Sequence, residues 1–312
     1  MLELLLKDKE INPANDNNLA IILAAANGHT YCVKLLLDDD RVDPSANGND
    51  AFLLAIQYNH TDCMRLLLSD IRVDPSVRNN SAVRMAAKNG HLSFMQLLLS
   101  DDRVNPNYQV DETQWVDPAN GHPISLAASM GHLECLQLLL MDNRSDPSEH
   151  KNLAIRLAAE HGHIDCVRLL MSDDRVDPTD RNNWAIRSAA ENGHFECAKL
   201  LLEDERVNND RRLNLAIRYI AKYGQLEGAR LLLSDTQTSS DDLNYAIRFA
   251  AFGGHLACLI LLLADKRIAL IDAEMIGRAK EGGHSECVDL LLSTQRDLKS
   301  KRTIKRQQCI IS

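Results

Sequence analysis

The chain has 312 residues, of which 45% are hydrophobic, 4% aromatic and 25% charged, so apolar material is ample, large rings are few, and one ordinary core would be strained at this length. Residues 293–312 carry six Lys and Arg against one Asp, whereas residues 1–292 hold 29 basic against 43 acidic residues, a balance of −14 within a total of −9. A body that acidic repels phosphate backbones, which excludes a general nucleic-acid binder and leaves neutral or basic partners.

The first residues, Met-Leu-Glu-Leu-Leu-Leu-Lys-Asp, have no basic start and no long apolar stretch, so no secretory signal is legible. The longest apolar run in the chain is the nine residues from Leu256 to Ala264, against the roughly 20 that a membrane-spanning helix needs. Leu4-Leu5-Leu6 stands 31 residues before Leu35-Leu36-Leu37, so residues 1–10 read as the second half of a repeat, either a cap or the end of a unit that starts upstream.

From there a single period accounts for the chain to residue 292. Gly-His recurs at Gly28, Gly90, Gly131, Gly162, Gly193, Gly254 and Gly283, with Asn59-His60 and Gly224-Gln225 between, at spacings of 31, 31, 41, 31, 31, 31, 30 and 29. Before each anchor lies a short helical pattern that Gly can end, since Gly enters the left-handed region without penalty. After it, Cys and Leu fall on one face at helical spacing, and a polar stretch such as Asp174-Arg-Val-Asp-Pro-Thr179 then forces a turn. One such helix pair cannot bury its own apolar face, so neighbours must stack.

Residues 11–292 thus hold nine repeats, and their wording resembles the ankyrin-repeat family. The family's Thr-Pro-Leu-His-x-Ala-Ala motif is visible as His122-Pro-Ile-Ser-Leu-Ala-Ala128 and elsewhere as Ala-Ile-Arg-x-Ala-Ala, as at Ala154 to Ala159. The resemblance implies an all-α solenoid of stacked helix-turn-helix units with hairpin-like loops. The period is 31 where the family's is 33, and Arg84, Arg156, Arg187, Arg218 and Arg248 stand where the family keeps a His. These arginines are expected to bridge neighbouring hairpins through Asp side chains such as Asp177 or through backbone carbonyls, or else to take an acidic ligand; Arg187 is the one to test.

Seven of the eight cysteines (Cys32, Cys63, Cys135, Cys166, Cys197, Cys258 and Cys287) share one repeat position, each three residues after a His or its equivalent. Helices packed about 8–10 Å apart cannot bring such residues to the roughly 2.3 Å of a zinc–sulfur bond or the short Cβ separation of a disulfide. They are expected to pack as small hydrophobes in a reducing compartment, with no metal and no cofactor. The histidines are expected to satisfy backbone groups at the turn between helices, and no nucleophile and base accompany them, so no enzyme is legible.

The two residues before each anchor vary freely: Gln57-Tyr58, Lys88-Asn89, Ser129-Met130, Glu160-His161, Lys222-Tyr223 and Phe252-Gly253. A constant scaffold with a variable face suits protein recognition, which the family resemblance places on the concave side of a monomeric solenoid. Aromatics cluster late, and Trp184, Tyr223, Tyr245 and Phe252 are the expected anchors, with plain packing as the alternative. The spacing of 41 marks a ten-residue insertion within residues 107–120 carrying Tyr108 and Trp115, a second candidate contact on a loop that could equally be neutral.

Residues 293–312 read as a basic flexible tail. It ends Cys309-Ile-Ile-Ser312, which resembles a CaaX prenylation box, with Ser in last place favouring farnesyl. One lipid chain anchors marginally; Lys299, Lys301, Arg302, Lys305 and Arg306 supply a second attraction to an anionic leaflet. The expectation is an adaptor at a membrane facing a eukaryotic cytosol, the alternatives being a nuclear import signal or a chance match of four residues.

Overall fold

The computed structural model describes residues 1–107, 121–208, 224, 226–234, 239–268 and 270–311, and among these the ordered elements are helices with no strand. The chain divides into two compact units.

The first unit comprises Met1–Ala158 and Asp165–Asp177. It opens with α1 (Leu2–Lys7) and continues with α2 (Asn15–Ala26), α3 (Thr30–Leu37), α4 (Ala46–Gln57), α5 (Thr61–Ser69), α6 (Val77–Asn89), α7 (Leu92–Leu99), α8 (Pro123–Met130), α9 (Leu133–Met141), most of α10 (Glu149–Glu160) and most of α11 (Ile164–Met171). First helices pack on first helices (α2 on α4, α4 on α6, α6 on α8) and second on second (α1 on α3, α3 on α5, α5 on α7, α7 on α9). Paired small residues allow the first row to close up: Ala86, Ala87, Ala127 and Ala128 are fully buried. On the second helices the buried face repeats as Cys63, Met64 and Leu67, then Phe94, Met95 and Leu98, then Cys135, Leu136 and Leu139. Of the leucine triplets at 35–37, 66–68, 97–99 and 138–140 only the middle member is buried, as the spacing of a helical face requires.

The second unit, Ala159–Ile164 with Pro178–Ser312, contains α12 (Asp180–Glu191), α13 (Phe195–Leu202), α14 (Glu205–Asn208), α15 (Leu226–Ser234), α16 (Ser240–Phe252), α17 (Leu256–Leu263), α18 (Ala273–Glu281) and α19 (Ser285–Ile311). Its core joins Leu243, Ile247, Ala250, Ala251, Cys258, Leu259, Leu262, Met275, Cys287 and Leu291.

First helices begin in two ways. At α2, α4, α6 and α10 three successive residues enter the left-handed region, for example Asn47, Gly48 and Asn49 at φ 54°, 68° and 63°. The turn closes when the amide of its last residue donates to the carbonyl four residues earlier, as from Asn49 to Ser45 at 2.9 Å. Asn is the side chain that tolerates this region best. By contrast, α8 starts from His122 with Pro123 in its first turn, and α16 from a Ser239–Asp242 capping box.

The chain reversals after second helices hold no strand ladder among the described residues; a forked Asp–Arg pair organises them instead. The carboxy-terminal segment also differs from a flexible tail: α19 runs unbroken to Ile311. No Gly or Pro interrupts residues 285–311, Leu298 packs on the core, and Gln295 donates to the Ile271 carbonyl at 2.8 Å.

Candidate partner-binding face

Three recurrent clasps join helix pairs to their neighbours. In the reversals, Arg72 forks through Nε and Nη2 onto Asp70 two residues earlier, while Nη1 donates back to the Val42 carbonyl at 2.9 Å and Nη2 also to the Leu37 carbonyl at 3.0 Å. Arg41, Arg103, Arg144 and Arg175 repeat the pattern in the first unit, and Arg267 forks likewise onto Asp265 and reaches the Leu233 carbonyl in the second. These hydrogen bonds hold the Asp70, Asp101, Asp142 and Asp173 carboxyls below their ordinary range.

The second clasp is asparagine. Buried Asn18, Asn49 and Asn152 end their left-handed turns and accept from the amides of Asp43, Asp74 and Asp177 in the next reversal, at 2.7, 3.2 and 2.8 Å. The third joins the anchors. The His60 ring lies against Gly28 and its Nε2 donates to the Ala26 carbonyl at 3.0 Å; His132 does the same over Gly90, to the Lys88 carbonyl. His60 and His132 thus serve backbone groups of the preceding repeat, whereas His91 Nδ1 pairs with the Asn59 side chain at 3.1 Å.

The arginine row makes contacts of two kinds. Arg84 donates to the Arg78 carbonyl at 3.1 Å, and Arg156 to the His150 and Lys151 carbonyls at 3.3 Å, so both turn back on the left-handed turn of their own repeat. Arg248 does bridge onward, to Asp272 at 2.8 Å and Glu274 at 3.1 Å. Arg218 lies outside the described residues.

The cysteines are packing residues. Cys63, Cys135, Cys166, Cys197, Cys258 and Cys287 are buried, and burial pushes the Cys135 thiol up to about 11, far from a reactive thiolate.

With the scaffold's contacts assigned, the residues before the anchors remain outward: Gln57, Tyr58, Lys88, Asn89, Met130, His161 and Phe252 are exposed. Trp184 and Arg187 come together on α12, the guanidinium 5.5 Å from the indole centroid, and both are half-buried. Tyr245 and Phe252 come together on α16 with Arg248, Phe249, Glu274 and Arg278 around a shallow hollow between α16 and α18. Both rings keep solvent access, 38% at Tyr245 and 45% at Phe252. Tyr108, Trp115 and Tyr223 lie outside the described residues, as do the side chains of Arg302, Lys305, Arg306 and Cys309; Lys299 and Lys301 are exposed on α19. No helix among the described residues is long and apolar enough to cross a membrane.

Family models corroborate the helix pairs. A model of three-copy ankyrin repeats matches residues 1–79, 124–212, 155–246 and 186–274, and one of many-copy ankyrin repeats matches residues 83–140. The chain belongs to the ankyrin-repeat family. No curated protein matches it. Ankyrin repeats are a module for protein–protein interaction, and the clasps above show how this ankyrin chain supports such a surface. The Asp–Arg and Asn clasps were the functional scaffold that reading the motifs missed, although Asp-x-Arg recurs visibly at Asp39, Asp70, Asp101, Asp142, Asp173, Asp204 and Asp265.

Proposed function

We propose that this ankyrin-repeat chain is a non-catalytic, monomeric adaptor. It binds a neutral or basic protein through the outward ends of its first helices, with Trp184, Arg187, Tyr245 and Phe252 as its main contacts. The observation that carries this reading is the exposure of Tyr245 and Phe252 beside Arg248 on a helix whose opposite face is fully packed. Aromatic and arginine side chains supply most of the energy at protein interfaces, and an exposed pair of rings on a rigid element loses little entropy on binding.

The tail supports a second part of the proposal, attachment to the cytosolic face of a eukaryotic membrane by prenylation of Cys309. It combines a CaaX-like end with Lys299, Lys301, Arg302, Lys305 and Arg306. Read without lipid, the same basic run would instead serve nuclear import.

One preparation from a eukaryotic cytosol tests both parts. Its intact mass should show one farnesyl group and loss of Ile310-Ile311-Ser312, and Cys309→Ser should move from membrane to soluble fractions. Partner recovery should fall at least tenfold in Trp184→Ala/Phe252→Ala while helical circular dichroism is unchanged. An unmodified mass removes the tether, and undiminished recovery removes the face.

A further inference from the structure

Two histidines are left over from the stacking scheme. At the turns, His60 and His132 sit over a glycine and donate to a carbonyl, but His122 caps α8 and His150 lies in the left-handed turn that opens α10. Here Gly121 occupies the place that Asn18, Asn49 and Asn152 take in other repeats, so the asparagine clasp is missing at this junction. In its stead, His122 Nδ1 lies 2.5 Å from Glu149 Oε2, and His122 Nε2 lies 2.7 Å from His150 Nε2. The rings are tilted by 56° with centroids 4.5 Å apart. His122 is only 2% exposed, whereas Glu149 and His150 are half-buried, so the pair is closed on one side and open to solvent on the other.

The Glu149 carboxylate faces the Nδ1 side of His122, so its charge favours the ring proton there and leaves the Nε2 lone pair towards His150. As the pair stands, one proton lies between the two Nε2 atoms. A carboxylate behind one imidazole, with two imidazole nitrogens converging in front, is the arrangement that orients and strengthens a histidine ligand.

We propose that His122 and His150 bind a late first-row divalent metal ion, zinc or nickel, with Glu149 as the orienting carboxylate. Imidazole nitrogen suits these ions, and two metal–nitrogen bonds of about 2.0–2.1 Å require the Nε2 atoms to stand about 2.9–3.4 Å apart. The half-buried His150 ring has to withdraw by a few tenths of an ångström. The ion takes the place of the shared proton, which passes to His150 Nδ1 or to solvent. No three His, Cys, Asp or Glu side chains are grouped to hold an ion among the described residues, so water completes the coordination. The ion would tie α8, which follows the insertion, to the repeat after it.

The test uses the full chain carrying His161→Gln, because the His161 and His163 rings, 6.2 Å apart, form another neighbouring pair. Zinc chloride and nickel chloride are titrated by calorimetry, with melting temperature read alongside. The expected result is one ion per chain with micromolar affinity and a rise in melting temperature reversed by chelator. His150→Gln should weaken binding at least tenfold, and Glu149→Gln should weaken it less while leaving the stoichiometry unchanged. No binding at 100 µM metal, or equal affinity in His150→Gln, overturns the site.

Discussion

At the scale of single residues, the glycine anchors answer two constraints that can be separated. Gly90 sits at φ +69° and a Cβ placed there would stand 2.5 Å from His132 Nδ1, whereas Gly283 sits at φ +75° with nothing within 4 Å of that position. Both substitutions to Ala carry the left-handed penalty of about 1–2 kcal/mol, but only the first also displaces a stacking imidazole. Gly90→Ala should therefore lower the urea midpoint clearly more than Gly283→Ala; equal losses would mean that the ring contact contributes nothing. The glycines and histidines were legible in the sequence because they share one position in most repeats, with Asn59 and Gln225 as the exceptions. The asparagine clasp was harder to see. Asn18, Asn49 and Asn152 act through a left-handed turn, and a turn of three such residues has no signature beyond Asn and Gly, which ordinary loops also favour.

Among elements, the link between successive helix pairs rests on apolar burial for its strength and on Asp–Arg forks for its geometry. Arg72 presents five fixed donors, enough for Asp70 and two backbone carbonyls at once, which the three donors of Lys on a point charge would not match. Its side chain is 36% exposed, so the ion pair itself is screened and the whole fork contributes on the order of 1 kcal/mol. The folded-state pKa of Asp70 lies below its unfolded value of about 3.9. Its contribution is therefore complete above that unfolded value and disappears as pH falls through the lower folded one. The gap in urea midpoint between the natural chain and Arg72→Gln should stay constant from pH 7 to 5 and narrow below pH 4. A gap that widens on acidification would assign Arg72 a different partner. Periodicity showed that Arg84 and Arg156 recur, but not that the Arg78, His150 and Lys151 carbonyls lie within their reach.

Over the whole molecule, the helix pairs followed from spacing and the family from the motif wording, because each repeat must present the same apolar face to the next. The tail did not. Its basic composition suggested flexible chain, yet Leu290, Leu291 and Leu298 seat α19 on the last repeat, and the helical backbone continues from there. The candidate face was legible only in part. Spacing identified the outward positions, and the structure added that Tyr245 and Phe252 share a hollow while Trp184 packs against Arg187. The most direct test of that face is site-specific photo-cross-linking in living cells, with a benzophenone amino acid at Phe252 and, as the control, at Met141, which is 73% exposed at the end of a second helix. A defined partner band formed from position 252 and absent from position 141 is the outcome this account predicts. The same band formed from 141 and not from 252 would place the interaction on the second helices and contradict it.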